Sequence, residues 1–271
     1  PGRARPLAGM PVSIKDDLFT AGLPTCGGSR AFAGHVPATE GPAVRRLGAA
    51  GAVVFGKTNL AELSMTLDSG SPLHGPCRNP WNPAHIAGAS SCGAASAVAA
   101  GIGPVALATD SGGSIRYPAA LCGVIGFSPS SGRVPRYGNF GANHAFCAIG
   151  ALARTVRDVA LVLGAVSGAD ASDPASWAYP RPIRMPPGQA GRPLRIGLIE
   201  ETADAAIERR VQDVVRALVA GHGWSARPLR LDTEPAAAAY RTLSDCDRLA
   251  LMRAAGTLTD ATLRAMAPAV Q

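Results

Sequence analysis

The chain predicts an α/β fold, a mixed central β-sheet flanked by helices on both faces, and three observations carry that expectation. Residues 194–199, 204–219 and 224–231 read as strand, helix and strand, with a glycine stop at Gly221. Residues 93–109 carry no charge, and Gly101, Gly103 and Pro104 break the run into a buried helix and a central strand. Nearly half the residues, 47%, are apolar and 17% are charged, a balance that suits a globular enzyme.

In chain order, residues 9–15 read as a Gly-x-Pro turn feeding a short β-branched strand that ends at Lys15. Residues 42–50 read as a helix with Val44 and Leu47 on one face, and residues 52–55 as a strand that ends at Gly56-Lys57-Thr58-Asn59. An alanine-rich helix over 94–100 closes at Gly101, and residues 105–108 form the next strand. Residues 156–166 have helical spacing, residues 170–192 are rich in proline and aperiodic, and residues 249–266 read as a further helix. The 271 residues are read as one domain, with a proline-rich surface excursion near 170–193.

Composition excludes several functional classes. The net charge of +7 comes from scattered arginines with only short pairs such as Arg45-Arg46, so it describes a solvated face rather than a nucleic-acid contact. Alanine and glycine dominate the uncharged run, and they drive membrane insertion poorly, so no span is expected. Six cysteines without a Cys-x-x-Cys pair read as reduced thiols, which points to the cytoplasm. The five histidines lie apart without ligand spacing, so neither a metal nor an organic cofactor is expected.

The chemistry is carried by a scarcity. Two lysines, Lys15 and Lys57, stand against 24 arginines. Arginine stays protonated at any accessible pH, so a chain that uses it for nearly all positive charge keeps lysine where a compact, titratable amine is needed. Lys15 is therefore a candidate proton carrier, and its bland alternative is an ion pair with Asp16 or Asp17. Lys57 reads as a support for its loop. Two further segments favour chemistry. Gly88-Ala89-Ser90-Ser91-Cys92-Gly93 leads into a helix N-terminus, where N–H groups and small hydroxyls are free. Thr109-Asp110-Ser111-Gly112-Gly113-Ser114 follows a strand, and its consecutive glycines let several N–H groups point into one space beside a serine hydroxyl, as an oxyanion hole requires.

On these residues the chain resembles the amidase-signature family of serine amidases. The order Gly-x-Pro-x-x-x-Lys-Asp, Gly-Lys-Thr-Asn, Asn-Pro-Trp, a Gly/Ser loop and Asp-x-Gly-Gly-Ser-Ile-Arg-x-Pro falls here at residues 9–16, 56–59, 79–81, 88–93 and 110–118. The resemblance implies that Ser114 is the nucleophile, that Ser90, preceded by a cis peptide bond, relays its proton, and that Lys15 is the base. It implies an oxyanion hole from the backbone of Ser111, Gly112, Gly113 and Ser114, and a substrate site near Ser64, Met65 and Ser90. Burial beside neutral hydroxyls would keep such a lysine neutral. The expected reaction converts a small-molecule amide and water to an acid and an amine or ammonia. The assembly allowed for is a homodimer.

Alternatives remain open from the sequence. One is the glutaminase A subunit of a tRNA-dependent amidotransferase, and another is an incomplete chain, since the family normally extends further at both ends. Asp110-Ser111-Gly112-Gly113 also matches the nucleophile segment of trypsin-like proteases, which would make Ser111 the attacker, but no matching histidine motif is present. Ala89 and Cys92 replace glycines usual in the family's loop, and Ser128-Pro129-Ser130 stands where Lys-Pro-Thr is usual. Cys92 is expected to be a buried filler, strained if its backbone needs positive φ.

Overall fold

The computed structural model describes residues 5–140, 146–184, 193–199, 205–254 and 259–266. In chain order these form β1 (Pro11–Lys15), α1 (Pro42–Ala49), β2 (Val53–Thr58), β3 (Gly70–Ser71), β4 (Gly75–Pro76), β5 (Arg78–Asn79), β6 (Asn82–Ile86), α2 (Cys92–Ala99), β7 (Val105–Asp110), α3 (Arg116–Cys122), β8 (Ile125–Phe127), β9 (Ala148–Ala153), α4 (Val156–Val166), β10 (Arg195–Ile199), α5 (Ala205–Gly221), β11 (Ser225–Leu229), α6 (Glu234–Ala254) and α7 (Asp260–Ala265). The chain divides into two compact units, residues 1–184 with 244–271, and residues 185–243.

The larger unit is built on a five-stranded mixed sheet in the order β2-β1-β7-β9-β8. β1 runs parallel to both β2 and β7, whereas β9 is antiparallel to β7 and β8. β7 and β9 are buried along their whole length, so both faces of the sheet's centre are covered. One apolar cluster joins Val12, Ile14, Leu107 and Ile149 to Leu47 of α1 and Leu163 of α4. A second joins Ala106, Ala108 and Leu152 to α2 and α3 through Ala95, Val98 and Ala119. These two clusters are the layers above and below one sheet, as the α/β expectation requires. In the smaller unit β10 and β11 pair in parallel, with α5 connecting them.

The elements differ from expectation where local signals are weak. β2 runs on through Lys57 to Thr58, because its pairing with β1 continues to Lys15 opposite Thr58. β9 reads Ala-Ile-Gly-Ala-Leu-Ala and shows no period, since both faces of the strand are buried. α3 has seven residues, contains Pro118 and ends at Gly123 in the left-handed conformation, so its punctuation outweighs its periodicity. The helix expected over 249–266 is instead the end of α6 and the separate α7.

The start of the proline-rich stretch is held at Asp170, whose Oδ2 accepts from Arg45 Nη2 at 2.8 Å and Arg46 Nη2 at 3.3 Å, and the segment just before it is anchored too. The Arg46 guanidinium donates to the carbonyls of Val166, Ser167, Gly168 and Ala169 at the end of α4 and just after it, satisfying acceptors that a helix end leaves open. Residues 185–192 of that stretch lie outside the described residues.

Glycine is obligatory where α2 meets the loop after β2. Gly93 N–H donates to the Asn59 carbonyl at 3.0 Å, and a Cβ on Gly93 would lie 2.5 Å from Asn59 N and 2.6 Å from Asn59 O. Neither backbone can yield without breaking that contact. Gly93→Ala is expected to lower stability by roughly 1–3 kcal/mol, the usual cost of overpacking, read as a lower urea midpoint at unchanged m-value.

Candidate active site

Lys15 closes β1, and its side chain is 0% exposed. Its Nζ lies 2.8 Å from Ser90 Oγ and 2.7 Å from Thr109 Oγ1. The carboxylate oxygen Asp17 Oδ2 is 3.2 Å away, and Asp17 is itself buried. The expectation of a lysine among neutral hydroxyls is therefore corrected: a carboxylate completes its surroundings. Of the two acidic neighbours, Asp17 faces the amine. Asp16 turns the other way, where Oδ2 accepts from the N–H groups of Cys26 at 3.2 Å and Gly28 at 3.4 Å. Burial dominates Asp16 and raises its pKa, against the opposing pull of Lys57 and those N–H groups.

Ser90 sits in the loop before α2, buried, and the Ala89–Ser90 peptide bond is cis. Its carbonyl accepts from Ala61 N–H at 3.1 Å, while Ser91 N–H donates to the Ser114 carbonyl at 3.2 Å. Ser91 Oγ also donates to the Thr109 carbonyl at 3.3 Å. These bonds stitch the two serine-bearing loops to each other and to the end of β7. Lys15, Ser90 and the Ser114 loop thus converge beyond the C-terminal ends of adjacent parallel strands, the usual place for a site in such sheets.

The Ser114 loop is shaped by Asp110. Its Oδ1 accepts from Gly113 N–H at 2.7 Å, and its Oδ2 accepts from Ile115 N–H at 3.0 Å. Arg116 Nε and Nη2 grip the same carboxylate at 3.0 and 2.9 Å. Burial acts to raise the Asp110 pKa, but the Arg116 bonds and the two N–H groups outweigh it and hold the carboxyl below its usual range. Gly113 takes φ of +116°, which lets the chain turn toward Ser114. Its N–H is spent on Asp110, unlike the role the resemblance implied for it. Ser114 is half-buried, within reach of solvent.

The remaining expected residues fall into place unevenly. Ser64 has φ of +59°, and its hydroxyl donates to Asp17 Oδ2 at 2.9 Å. Met65 packs in a small cluster with Leu63, Phe32, Phe140 and Met266. Cys92 is buried as the first residue of α2, without the positive φ that would strain it, and its thiol faces the Asn59 carbonyl at 3.6 Å. Hydrogen bonding with Cys77 and burial push the Cys92 thiol far up, so it fills space rather than attacking. All six cysteines are free thiols. Among the described residues no group of His, Cys, Asp or Glu could hold a metal, and no helix is long and apolar enough to cross a membrane. Asp17 and Thr109 are the residues that sequence reasoning missed as parts of the site. The only signal was the second aspartate after Lys15.

The α/β fold joins, at its parallel strand ends, a buried lysine to a serine on a cis peptide bond, beside a Gly-Gly-Ser turn. The chain belongs to the amidase family, whose model, described as Amidase, matches residues 2–266. The glutamyl-tRNA(Gln) amidotransferase A subunit of Roseiflexus castenholzii is 44% identical over 219 residues, covering 80% of this chain and 45% of that protein. The corresponding protein of Thermus thermophilus is 40% identical over 258 residues, covering 93% of this chain and 55% of that protein. Among solved structures, the native peptide amidase of Stenotrophomonas maltophilia superposes with a TM-score of 0.78 at 35% identity, over 89% of this chain and 52% of that one. The glutamyl-tRNA(Gln) amidotransferase A subunit of Thermotoga maritima gives a TM-score of 0.82 at 29% identity, over 91% of this chain and 56% of that one. The chain thus spans about half the length of the curated relatives it matches.

Lys57 braces its loop, as expected. Its Nζ donates to the Leu18 carbonyl and to the hydroxyls of Thr20 and Thr25. Burial pulls its pKa from 10.5 to about 8, against the opposing attraction of Asp16 and Asp17. Between about pH 8 and 10.5 only the unfolded chain holds this proton, so stability rises with pH across that window and the contribution is level on either side. Urea unfolding is expected to show a shallower rise across the window in Lys57→Met than in the parent.

Proposed function

We propose that this chain carries a serine amidohydrolase site in which Ser114 is the nucleophile, Ser90 the proton relay and Lys15 the base. The observation that carries the reading is the 2.8 Å contact between Lys15 Nζ and Ser90 Oγ, buried, in a loop bonded to the Ser114 carbonyl. A serine hydroxyl is a weak nucleophile at neutral pH and needs a base within hydrogen-bond reach, directly or through one relay.

The proposed cycle begins at Ser114. Ser114 Oγ adds to the amide carbon as its proton passes to Ser90 Oγ and the Ser90 proton passes to Lys15 Nζ. The oxyanion is held by the N–H groups of Ser111, Gly112 and Ser114. Lys15 then returns the proton through Ser90 to the leaving nitrogen, the C–N bond breaks and an acyl-enzyme forms. Water repeats the sequence and releases the carboxylic acid. Protein groups supply every proton transfer in this scheme.

A second reading, a glutaminase component of a tRNA-dependent amidotransferase working in the cytoplasm, is favoured by the names of the relatives at 40% and 44% identity. It keeps the same site and fixes glutamine as the amide. Ammonia release from glutamine, rising when partner proteins of such a complex are added, separates it from a standalone amidase, which would cleave other small amides without partners.

A fluorophosphonate probe followed by peptide mass spectrometry tests the shared chemistry. Label is expected on Ser114, and Lys15→Ala is expected to slow labelling by a factor on the order of 10²–10⁴. Label on Ser111, or labelling of Lys15→Ala at the parent rate, would overturn the assignment.

A further inference from the structure

We infer that Asp17 is a positioning residue that fixes the direction of the hydrogen-bond chain behind Lys15, acting with Thr109 so that the amine's lone pair faces Ser90; this deepens the proposed Lys15–Ser90–Ser114 reading and rests on it. Asp17 is buried, and Oδ2 receives three contacts: Thr109 Oγ1 at 2.6 Å, Ser64 Oγ at 2.9 Å and Lys15 Nζ at 3.2 Å.

The count of donors and acceptors sets the direction. A carboxylate only accepts, so the Thr109 hydroxyl spends its single proton on Asp17. The Thr109 oxygen can then only accept from Lys15, 2.7 Å away. A neutral amine has two N–H groups and one lone pair. Thr109 takes one N–H and Asp17 the other, which leaves the lone pair for the third neighbour, Ser90 Oγ at 2.8 Å. Once Lys15 accepts the proton, the ammonium has three N–H groups for the same three oxygens, and Asp17 faces the new charge. The site therefore passes a proton without any heavy atom changing partner.

Substitution by asparagine disturbs this in either orientation. With its NH₂ facing Thr109, the hydroxyl is turned back toward the Lys15 lone pair and competes with Ser90. With its oxygen facing Thr109, the NH₂ takes the place of Asp17 Oδ1, a buried atom with no hydrogen-bond partner among the described residues.

The test measures fluorophosphonate labelling of Ser114 in the full chain, separating the maximal labelling rate from the probe concentration at half-maximum. Asp17→Asn and Thr109→Val are expected to lower the maximal rate by about tenfold or more with the half-maximal concentration unchanged, while Thr109→Ser, which restores the hydroxyl, recovers it to within about threefold. Thr109→Val keeps the outline of the side chain and removes its hydroxyl, so loss of maximal rate at an unchanged half-maximal concentration, restored by Thr109→Ser, reports the missing hydrogen bonds rather than altered packing. If Asp17→Asn fails to fold, the Thr109 pair decides. Parent-like labelling of Thr109→Val, or a serine variant as slow as the valine one, overturns the proposal while leaving the amidase reading intact. Labelling of Lys15→Ala at the parent rate overturns both.

Discussion

An amine buried at the end of a central strand must find hydrogen-bond partners, because a buried polar group left unpaired costs about 1–3 kcal/mol. That constraint organises the larger unit. Lys15 is placed by β1, and its three oxygens come from the strand beside it, from the turn that follows it and from the loop before α2. The mixed sheet brings β7 next to β1, and β9 buries β7 from the other side, so Thr109 stands where Lys15 can reach it. Asp110, one residue on, then shapes the Ser114 loop. Adjacent residues of one strand end thus serve Lys15 and the Ser114 loop separately.

The two aspartates after Lys15 divide a second task. Asp17 faces inward to the amine, whereas Asp16 gathers the N–H groups of residues 26 and 28, with Lys57 bracing the neighbouring loop. Both aspartates lie in the turn that follows β1, and there their carboxylates face different partners, so one Lys-Asp-Asp sequence serves both Lys15 and the neighbouring loop.

The site was legible in the sequence to the extent that its chemistry was punctuated. The glycines of the two serine loops, the scarce lysine and the order of motifs located Lys15, Ser90 and Ser114, and the strand before Thr109 announced itself as an uncharged run. Residues that depend on distant partners were not legible. Ala148–Ala153 shows no alternation because both of its faces are buried. Arg116–Cys122 is too short and too interrupted for periodicity to register. Asp17 was one of two possible ion-pair partners of Lys15 until the fold set Thr109, 92 residues later, against it. The same limit explains Gly113, whose N–H a sequence cannot assign between an incoming oxyanion and the carboxylate three residues earlier.

The scarcity of lysine has a practical side once both are placed. Lys15 is sealed from solvent and Lys57 is held among a carbonyl and two hydroxyls, so the folded surface carries its positive charge on guanidinium groups. Reagents that acylate side-chain amines meet only the partly buried Lys57 until the structure opens. Uptake at Lys15 becomes a clock for exposure of the strand end that carries it, read against Lys57 as an internal reference and a background free of other lysines.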